Sequence, residues 1–329
     1  MLLSITGLML DLQSNKTNIL VSYAYLRKSD TFADVVLKLS EAGYINLLID
    51  SGAFTVYKSG GKILLKDYIE ACKHYHDRCW QYVTLDVVGN YKATLENFKI
   101  MRNQNLNPMG VLTTDMDLSE LDTLIRDNKH IGVPGGTITK GDFTKKRFQD
   151  VHRYTEGKAK IHGLGYVKYP EMYQLPLTTV DSSSSEAGKR FGAIKTFDSH
   201  KGFVDNWSTK DIKQAQASKI PPKLKQLWIQ AGLSPNDRLK DDYYTGVNSF
   251  NNYEIVNAYL DMQAFSKLKG LEYFFVCGNL HTVATICAVI KSRKKYGNYK
   301  FHDVKKSILK AVELHKKKQA FPYLKELLS

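Results

Sequence analysis

The sequence predicts an α/β protein built on a (β/α)8 barrel of the TIM type, with a basic helical C-terminal extension. Three observations lead there. Short apolar runs alternate with stretches of helical periodicity as far as Asn206, the pattern of parallel strands covered on both faces. Eight such runs can be counted, most separated by helical segments of the length a βαβ unit needs. Three of the runs end in an aspartate, Asp50, Asp86 and Asp181. A doubly wound sheet is the competing architecture. No Gly-x-Gly-x-x-Gly turn follows the first strand, which counts against a dinucleotide site.

Taken in order, Met1–Leu10 is apolar but lacks a basic leading region and a cleavage site, so it reads as a first strand or hairpin and not as a signal peptide. Asn18–Ser22 is a strand, and Asp30 caps a helix over Thr31–Ala42 that Gly43 stops. Ile45–Ile49, bounded by Gly43 and Gly52, is a buried strand that delivers Asp50 to solvent. The turn Ser51-Gly52-Ala53 lets backbone pass close to a ligand and presents Phe54. Leu64–Arg78 has helical spacing, and Tyr82–Asp86 is again a strand ending in a carboxylate. Thr94–Arg102 is a helix, Pro108–Thr113 a strand, Leu118–Arg126 a helix and His130–Val133 a short strand before Pro134-Gly135-Gly136. Phe143–Tyr154 is a Lys-rich helix, Lys160–Gly165 a strand with a glycine exit, Leu177–Asp181 the third strand closed by aspartate, and Phe191–Phe197 the eighth strand.

Beyond Asn206 the composition shifts. Thr209–Ser218 is polar and helical, Ile220-Pro221-Pro222 breaks it, and Pro235–Tyr244 is charged and turn-rich. Asn252–Lys267 and His281–Arg293 are helical, Leu271–Val276 is an apolar strand or buried segment, and Lys316-Lys317-Lys318 lies on a basic terminal helix. The organisation is therefore a barrel core over 1–206 and a helical, basic part over 207–329 that completes the barrel and extends a nucleic-acid surface.

A formal charge of +14 and twenty tyrosines favour a polyanionic partner, because cations follow phosphates and aromatic faces stack bases. The four cysteines, Cys72, Cys79, Cys277 and Cys287, form no Cys-x-x-Cys pair and read as reduced thiols of a cytoplasmic protein. No apolar stretch is long enough to span a bilayer, so no membrane partner is expected.

Strands of one parallel barrel bring their carboxyl ends to one rim, so Asp50, Asp86 and Asp181 should meet there. Two carboxylates facing an anomeric carbon serve glycosyl transfer with retention, one as nucleophile and one as acid or base. Three could equally bind a divalent cation. Phe54 and the glycine turns favour glycosyl transfer.

The order and spelling of these motifs resemble the tRNA-guanine transglycosylase superfamily, whose members are queuine tRNA-ribosyltransferase-like enzymes. Asp50-Ser51-Gly52-Ala53-Phe54 is similar to that family's Asp-Ser/Thr-Gly-Gly-aromatic signature. Thr84-Leu85-Asp86, Gly110-Val111-Leu112-Thr113 and His162-Gly163-Leu164-Gly165 resemble its next strands, and Val180-Asp181-Ser182 its nucleophile strand. Arg190–Asn206 looks like the hairpin that follows, and Cys277-Gly278-Asn279 is a weaker echo. The resemblance implies that Asp181 attacks C1′ of a guanosine nucleotide, that Asp50 is the general base for the incoming 7-deazaguanine, and that Asp86 accepts hydrogen bonds from the guanine edge. It places Phe54 and His162 on either side of the base, with Gly163, Thr113, Val133 and Pro134 also lining it. Taken alone, His162 reads as an ordinary core or strand-end histidine. Thr113 stands where the family has a base-contacting glutamine, and Val133-Pro134 where it has Gly-Leu.

The family's zinc cluster has no counterpart, since Cys277-x3-His281 is too sparse for four ligands. No metal and no cofactor are expected. The missing zinc subdomain and Asp181-Ser182-Ser183-Ser184 resemble the shorter phage and modification-island relatives that act on DNA. The expected partners are DNA, with tRNA as the alternative, and a base such as 7-cyano-7-deazaguanine. The expected location is cytoplasmic, the host's cytoplasm for a phage-encoded enzyme, and homodimerisation is left open. A non-catalytic nucleic-acid-binding subunit is the reading from a different class, against which the retained Asp50 and Asp181 speak.

Overall fold

The computed structural model describes residues 16–126, 128–135, 141–183, 193–198, 202–215, 217–237 and 249–329. Its strands are Thr17–Ser22 (β1), Ile45–Asp50 (β2), Gln81–Tyr82 (β3), Gly110–Val111 (β4), His130–Pro134 (β5), Lys160–Leu164 (β6), Thr179–Ser182 (β7), Ala193–Asp198 (β8), Gly202–Ser208 (β9) and Glu272–Val276 (β10). The chain divides into two compact units. One comprises Thr17–Ser182 and Ser266–Gly278; the other takes in the described residues of Ser183–Phe265 and Asn279–Ser329. The expected strand or hairpin over Met1–Leu10 lies outside the described residues.

In the first unit, eight strands form one parallel sheet in the order β3-β2-β1-β10-β7-β6-β5-β4. The two ends of this order meet at a single point. Val83, directly after β3, makes an isolated parallel bridge to Met109, directly before β4. Met109 N–H donates to the Tyr82 carbonyl at 2.8 Å, and Thr84 N–H to the Met109 carbonyl at 3.0 Å. The sheet thus curls in a TIM-barrel-like way, with one bridge rather than a continuous ladder between β3 and β4.

One expected strand changes place. Phe191–Phe197 was expected to be the eighth strand of the barrel; instead Ala193–Asp198 pairs antiparallel with β9 in a separate two-stranded sheet. Its place is taken by β10, which lies between β1 and β7. The physical difference is coverage. β10 contributes Tyr273, Phe274 and Phe275, all 0 % exposed, as a strand covered on both faces requires. β8 alternates buried Ile194 and Thr196 with partly exposed Lys195 and Phe197, the signature of a hairpin with one wet face.

Side chains alternate across a strand, so register decides which residues share a face. Leu20, Leu48, Val83, Met109, Val111 and Phe274 form one buried cluster, with Leu164 and Val276 packed against it. Each fully buried Leu, Val, Met or Phe side chain contributes about 1.5–3 kcal/mol. Ser22 and Asp50 follow Leu20 and Leu48 by two residues and are register partners, while Asp181 is level with Phe274 and His162 with Thr179. These polar groups therefore continue the apolar face toward the carboxyl ends of the strands. Ile19, Val21, Leu47 and Ile49 point the other way and are also 0 % exposed. The amphipathic helix Asp30–Glu41 packs on β2, with Val35, Val36 and Leu39 among its buried residues.

Helix boundaries differ from expectation where a cap lies one residue off. Ser29, not Asp30, caps the helix Asp30–Glu41, its hydroxyl accepting from Phe32 N–H at 3.3 Å. The expected helix over Leu118–Arg126 is a 3-10 turn, Leu118–Glu120, followed by one turn over Leu121–Leu124. Pro222, read as part of a break, opens the helix Pro222–Gln230, since its missing N–H costs nothing in a first turn.

The second unit is mainly helical. Its helices include Leu280–Tyr296, Phe301–Lys316 and Ala320–Leu328, which pack on one another. Buried Arg293 pairs with Asp261 at 2.7 Å, and Glu254, accepting from the Tyr299 hydroxyl at 2.9 Å, is pushed up to about 8 by burial. Among the described residues no helix is long and apolar enough to cross a membrane.

Candidate active site

The carboxyl ends of the parallel strands carry Ser22, Asp50, Leu164 and Ser182, with Asp181 one residue short of the end of β7 and Asp86 four residues past β3. Asp50, Asp86 and Asp181 are brought together. Burial first, then the charges of Asp86 and Asp181, push the Asp50 carboxyl up to about 7. Burial likewise raises Asp86, opposed by the hydroxyl of Ser51.

Each carboxylate has its own holder. Asp50 Oδ2 accepts the Gly52 N–H at 2.9 Å, and Ser22 adds a hydrogen bond from the neighbouring strand. Gly52 stands at φ 78°, and a Cβ there would lie 2.7 Å from both Ala24 Cβ and Ser22 Oγ. Only glycine combines that left-handed backbone with that approach. Ser51, fully buried, accepts from Ala53 N–H at 3.2 Å and donates to Asp86 Oδ1 at 2.8 Å. One short turn thus positions two of the three carboxylates.

Asp181 is 8 % exposed. Its Oδ1 accepts the Gly165 N–H at 2.9 Å and lies 3.1 Å from His162 Nε2. The other ring nitrogen, Nδ1, is 2.7 Å from the Thr179 hydroxyl. His162 is 0 % exposed, with its ring edge-on to Phe274 at 6.3 Å between centroids. The resemblance placed His162 against one face of the base; the structure describes its surroundings without a base. The buried ring lies beside the Asp181 carboxylate.

The remaining expected residues fall as follows. Phe54 is partly exposed on the helix Ala53–Lys58, with Lys58 Nζ 4.3 Å from its ring centroid. Thr113 is partly exposed, and its hydroxyl donates to Asp115 Oδ1 at 2.7 Å while its carbonyl accepts from Arg147. Val133 is buried and Pro134 half-buried at the end of β5. Gly163 is buried in β6, where a Cβ would crowd Tyr166 Cβ at 3.1 Å and Val180 Cγ1 at 3.3 Å. Gly136 and Ser184 lie outside the described residues.

Sequence reasoning missed Ser22, Ser51 and Gly165 as holders of the carboxylates and Thr179 as the partner of the His162 ring. The signal for Ser22 and Thr179 was parity: each shares a face with an aspartate on the adjoining or same strand. A groove of about 540 Å3, lined by Tyr91, Asp115, Asp117, Arg147 and Tyr154 among others, does not include the three aspartates.

Among the described residues no group of three or more His, Cys, Asp or Glu side chains is arranged to hold a metal ion. No protein-family model matches the chain, and no curated protein matches it. Chemically, the site pairs a carboxylate held by a backbone N–H and a histidine ring with a second carboxylate raised to about 7. That is the equipment of nucleophilic displacement with proton transfer.

Proposed function

We propose that the protein is a base-exchange transglycosylase, a pentosyltransferase that replaces guanine in DNA by a 7-deazaguanine through a covalent aspartyl-glycosyl intermediate. The observation that carries this reading is the convergence of Asp50, Asp86 and Asp181 at one edge of a parallel sheet, with Asp50 placed to titrate near 7. The motif resemblance supplies the substrate class. In this reading the curled sheet acts as a (β/α)8 barrel, and the basic helical C-terminal part serves the nucleic acid.

Asp181 attacks C1′ of the guanosine nucleotide. The C1′–N bond breaks, its electron pair leaves with guanine, and the acid form of Asp50 supplies the proton. Asp50 then takes the ring N–H proton of the incoming 7-deazaguanine, whose nitrogen attacks C1′ and expels Asp181. Two inversions give net retention. Asp86 accepts hydrogen bonds from the guanine-type amino and ring N–H groups. Phe54 offers a stacking face, and Thr113, Val133, Pro134 and Gly163 line the base. A guanine in duplex DNA leaves the stack before attack, or the substrate is single-stranded. The reaction belongs to a cytoplasmic enzyme and calls on no cofactor.

The test is incorporation of guanine and of 7-cyano-7-deazaguanine into DNA and into unmodified tRNA, side by side, read by nucleoside mass spectrometry. Label in DNA is the expected result. Label in tRNA alone assigns the substrate to tRNA, and label in neither removes the reaction.

A further inference from the structure

Two groups meet Asp181, both at the same oxygen, and a third stands behind one of them. Gly165 N–H and His162 Nε2 converge on Oδ1 at 2.9 and 3.1 Å, and Thr179 holds the far side of the ring at 2.7 Å. Among the described residues no hydrogen bond reaches Oδ2. The register explains the arrangement: His162 on β6 is paired with Thr179 on β7, so the ring spans from Thr179 to the residue two places further along the same strand. Gly165 lies just past the end of β6, and its φ of 65° belongs to a turn that points its N–H back at the carboxylate.

We propose that His162 is a positioning residue: fixed by Thr179, it clamps Asp181 Oδ1 together with Gly165 N–H and thereby assigns Oδ2 as the attacking oxygen. This rests on the transglycosylase reading. Facing a carboxylate, Nε2 is the nitrogen that donates, which in the neutral ring leaves Nδ1 to accept from the Thr179 hydroxyl. The clamp does two things. It removes rotation of the carboxyl group about its bond to Cβ, so the Oδ2 lone pair is aimed before substrate arrives. It also leaves Oδ1 with its donors when Oδ2 becomes the ester oxygen, so no hydrogen bond need break as the O–C1′ bond forms and the C1′–N bond to guanine opens.

The experiment compares wild type, His162→Phe, His162→Gln and Thr179→Val in steady-state exchange, with thermal midpoints to establish folding. Phenylalanine fills the space and removes both polar contacts. Glutamine carries an amide N–H at about the reach of Nε2. His162→Phe is expected to lose about 10- to 100-fold in kcat while KM for DNA moves less than about twofold, the range for an oriented donor to a buried charge. His162→Gln is expected to recover at least half of that loss on a logarithmic scale. Thr179→Val, a milder change, is expected to lose about 2- to 10-fold in kcat. Ring 15N spectra of the wild type should show the proton on Nε2. Unchanged kcat in a folded His162→Phe, a glutamine variant no better than phenylalanine, or a neutral ring protonated on Nδ1 would each overturn the clamp. If His162→Phe does not fold, the Gln and Val variants and the ring spectrum decide. Exchange by the wild type with no effect of these variants removes this role alone; no exchange by the wild type removes the reaction as well.

Discussion

Replacing Asp50 by asparagine should make the protein more stable at alkaline pH and barely change it in acid. The folded carboxyl is raised from 3.8 to about 7 by burial and by Asp86 and Asp181. A raised carboxylate pKa means that the folded state holds the proton more tightly than the unfolded chain. This group's penalty is therefore absent below pH 3.8, grows as pH rises toward 7, and is complete above it. At 1.36 kcal/mol per tenfold, the full penalty is roughly 4 kcal/mol. Asparagine is not ionised and escapes it. Its carbonyl can still accept the Gly52 N–H that Asp50 accepts at 2.9 Å, but an imperfect replacement of that bond and of the Ser22 contact costs about 1 kcal/mol. The net expectation is a gain of about 2–4 kcal/mol at pH 8 that shrinks to nothing or slightly reverses near pH 4. Urea denaturation of both proteins at pH 4.5, 6 and 8 measures it. A stability difference independent of pH, or a loss at pH 8, would refute the claim that Asp50 is a buried, repelled carboxylate. The same variant should lose the ability to complete transfer to the incoming base.

Two further substitutions test the turn and the carboxylate proposed to read the base. Gly52→Ala should destabilise by more than about 2 kcal/mol and abolish exchange, because φ 78° and a 2.7 Å approach to Ala24 Cβ and Ser22 Oγ combine at one residue; a thermal midpoint unchanged from wild type would contradict this. Asp86→Asn should raise KM for the incoming base by about tenfold or more while leaving DNA binding intact, since an amide presents one acceptor where the carboxylate presents two; an unchanged KM in base-exchange kinetics would remove Asp86 from base recognition.

How much of this was legible in the chain depends on which physical signal a residue carries. Ile45–Asp50 and Leu177–Asp181 announced themselves because a run buried on both faces must be apolar and must end where polar groups resume, whereas of Tyr82–Asp86 only Tyr82, in the strand Gln81–Tyr82, and a bridge at Val83 join the sheet. The structure brings their aspartates together. β10 was equally apolar, but its place between β1 and β7 is a long-range pairing that local pattern does not encode. The order of the strands after Asp181 was therefore misread, although a hairpin over this stretch was written in the motif order. His162 shows the limit more sharply. Its motif position implied a place against the base by analogy, while its pairing with Thr179 across the β6/β7 register and its contact with Asp181 are visible only in the fold. Small polar residues such as Ser22 and Ser51 carry no composition signal; the β1/β2 register brings Ser22 to Asp50, and the turn after β2 brings the Ser51 hydroxyl to Asp86.

The central claim is that Asp181 becomes covalently bonded to the sugar. The direct measurement is intact and peptide mass spectrometry of the protein incubated with a guanine-containing DNA oligonucleotide and quenched in denaturant without an incoming base. The account predicts an adduct of the oligonucleotide less one guanine, located on the peptide containing Asp181 and absent from Asp181→Asn. A wild type that exchanges bases without forming this adduct, or an adduct that persists in Asp181→Asn, would contradict it.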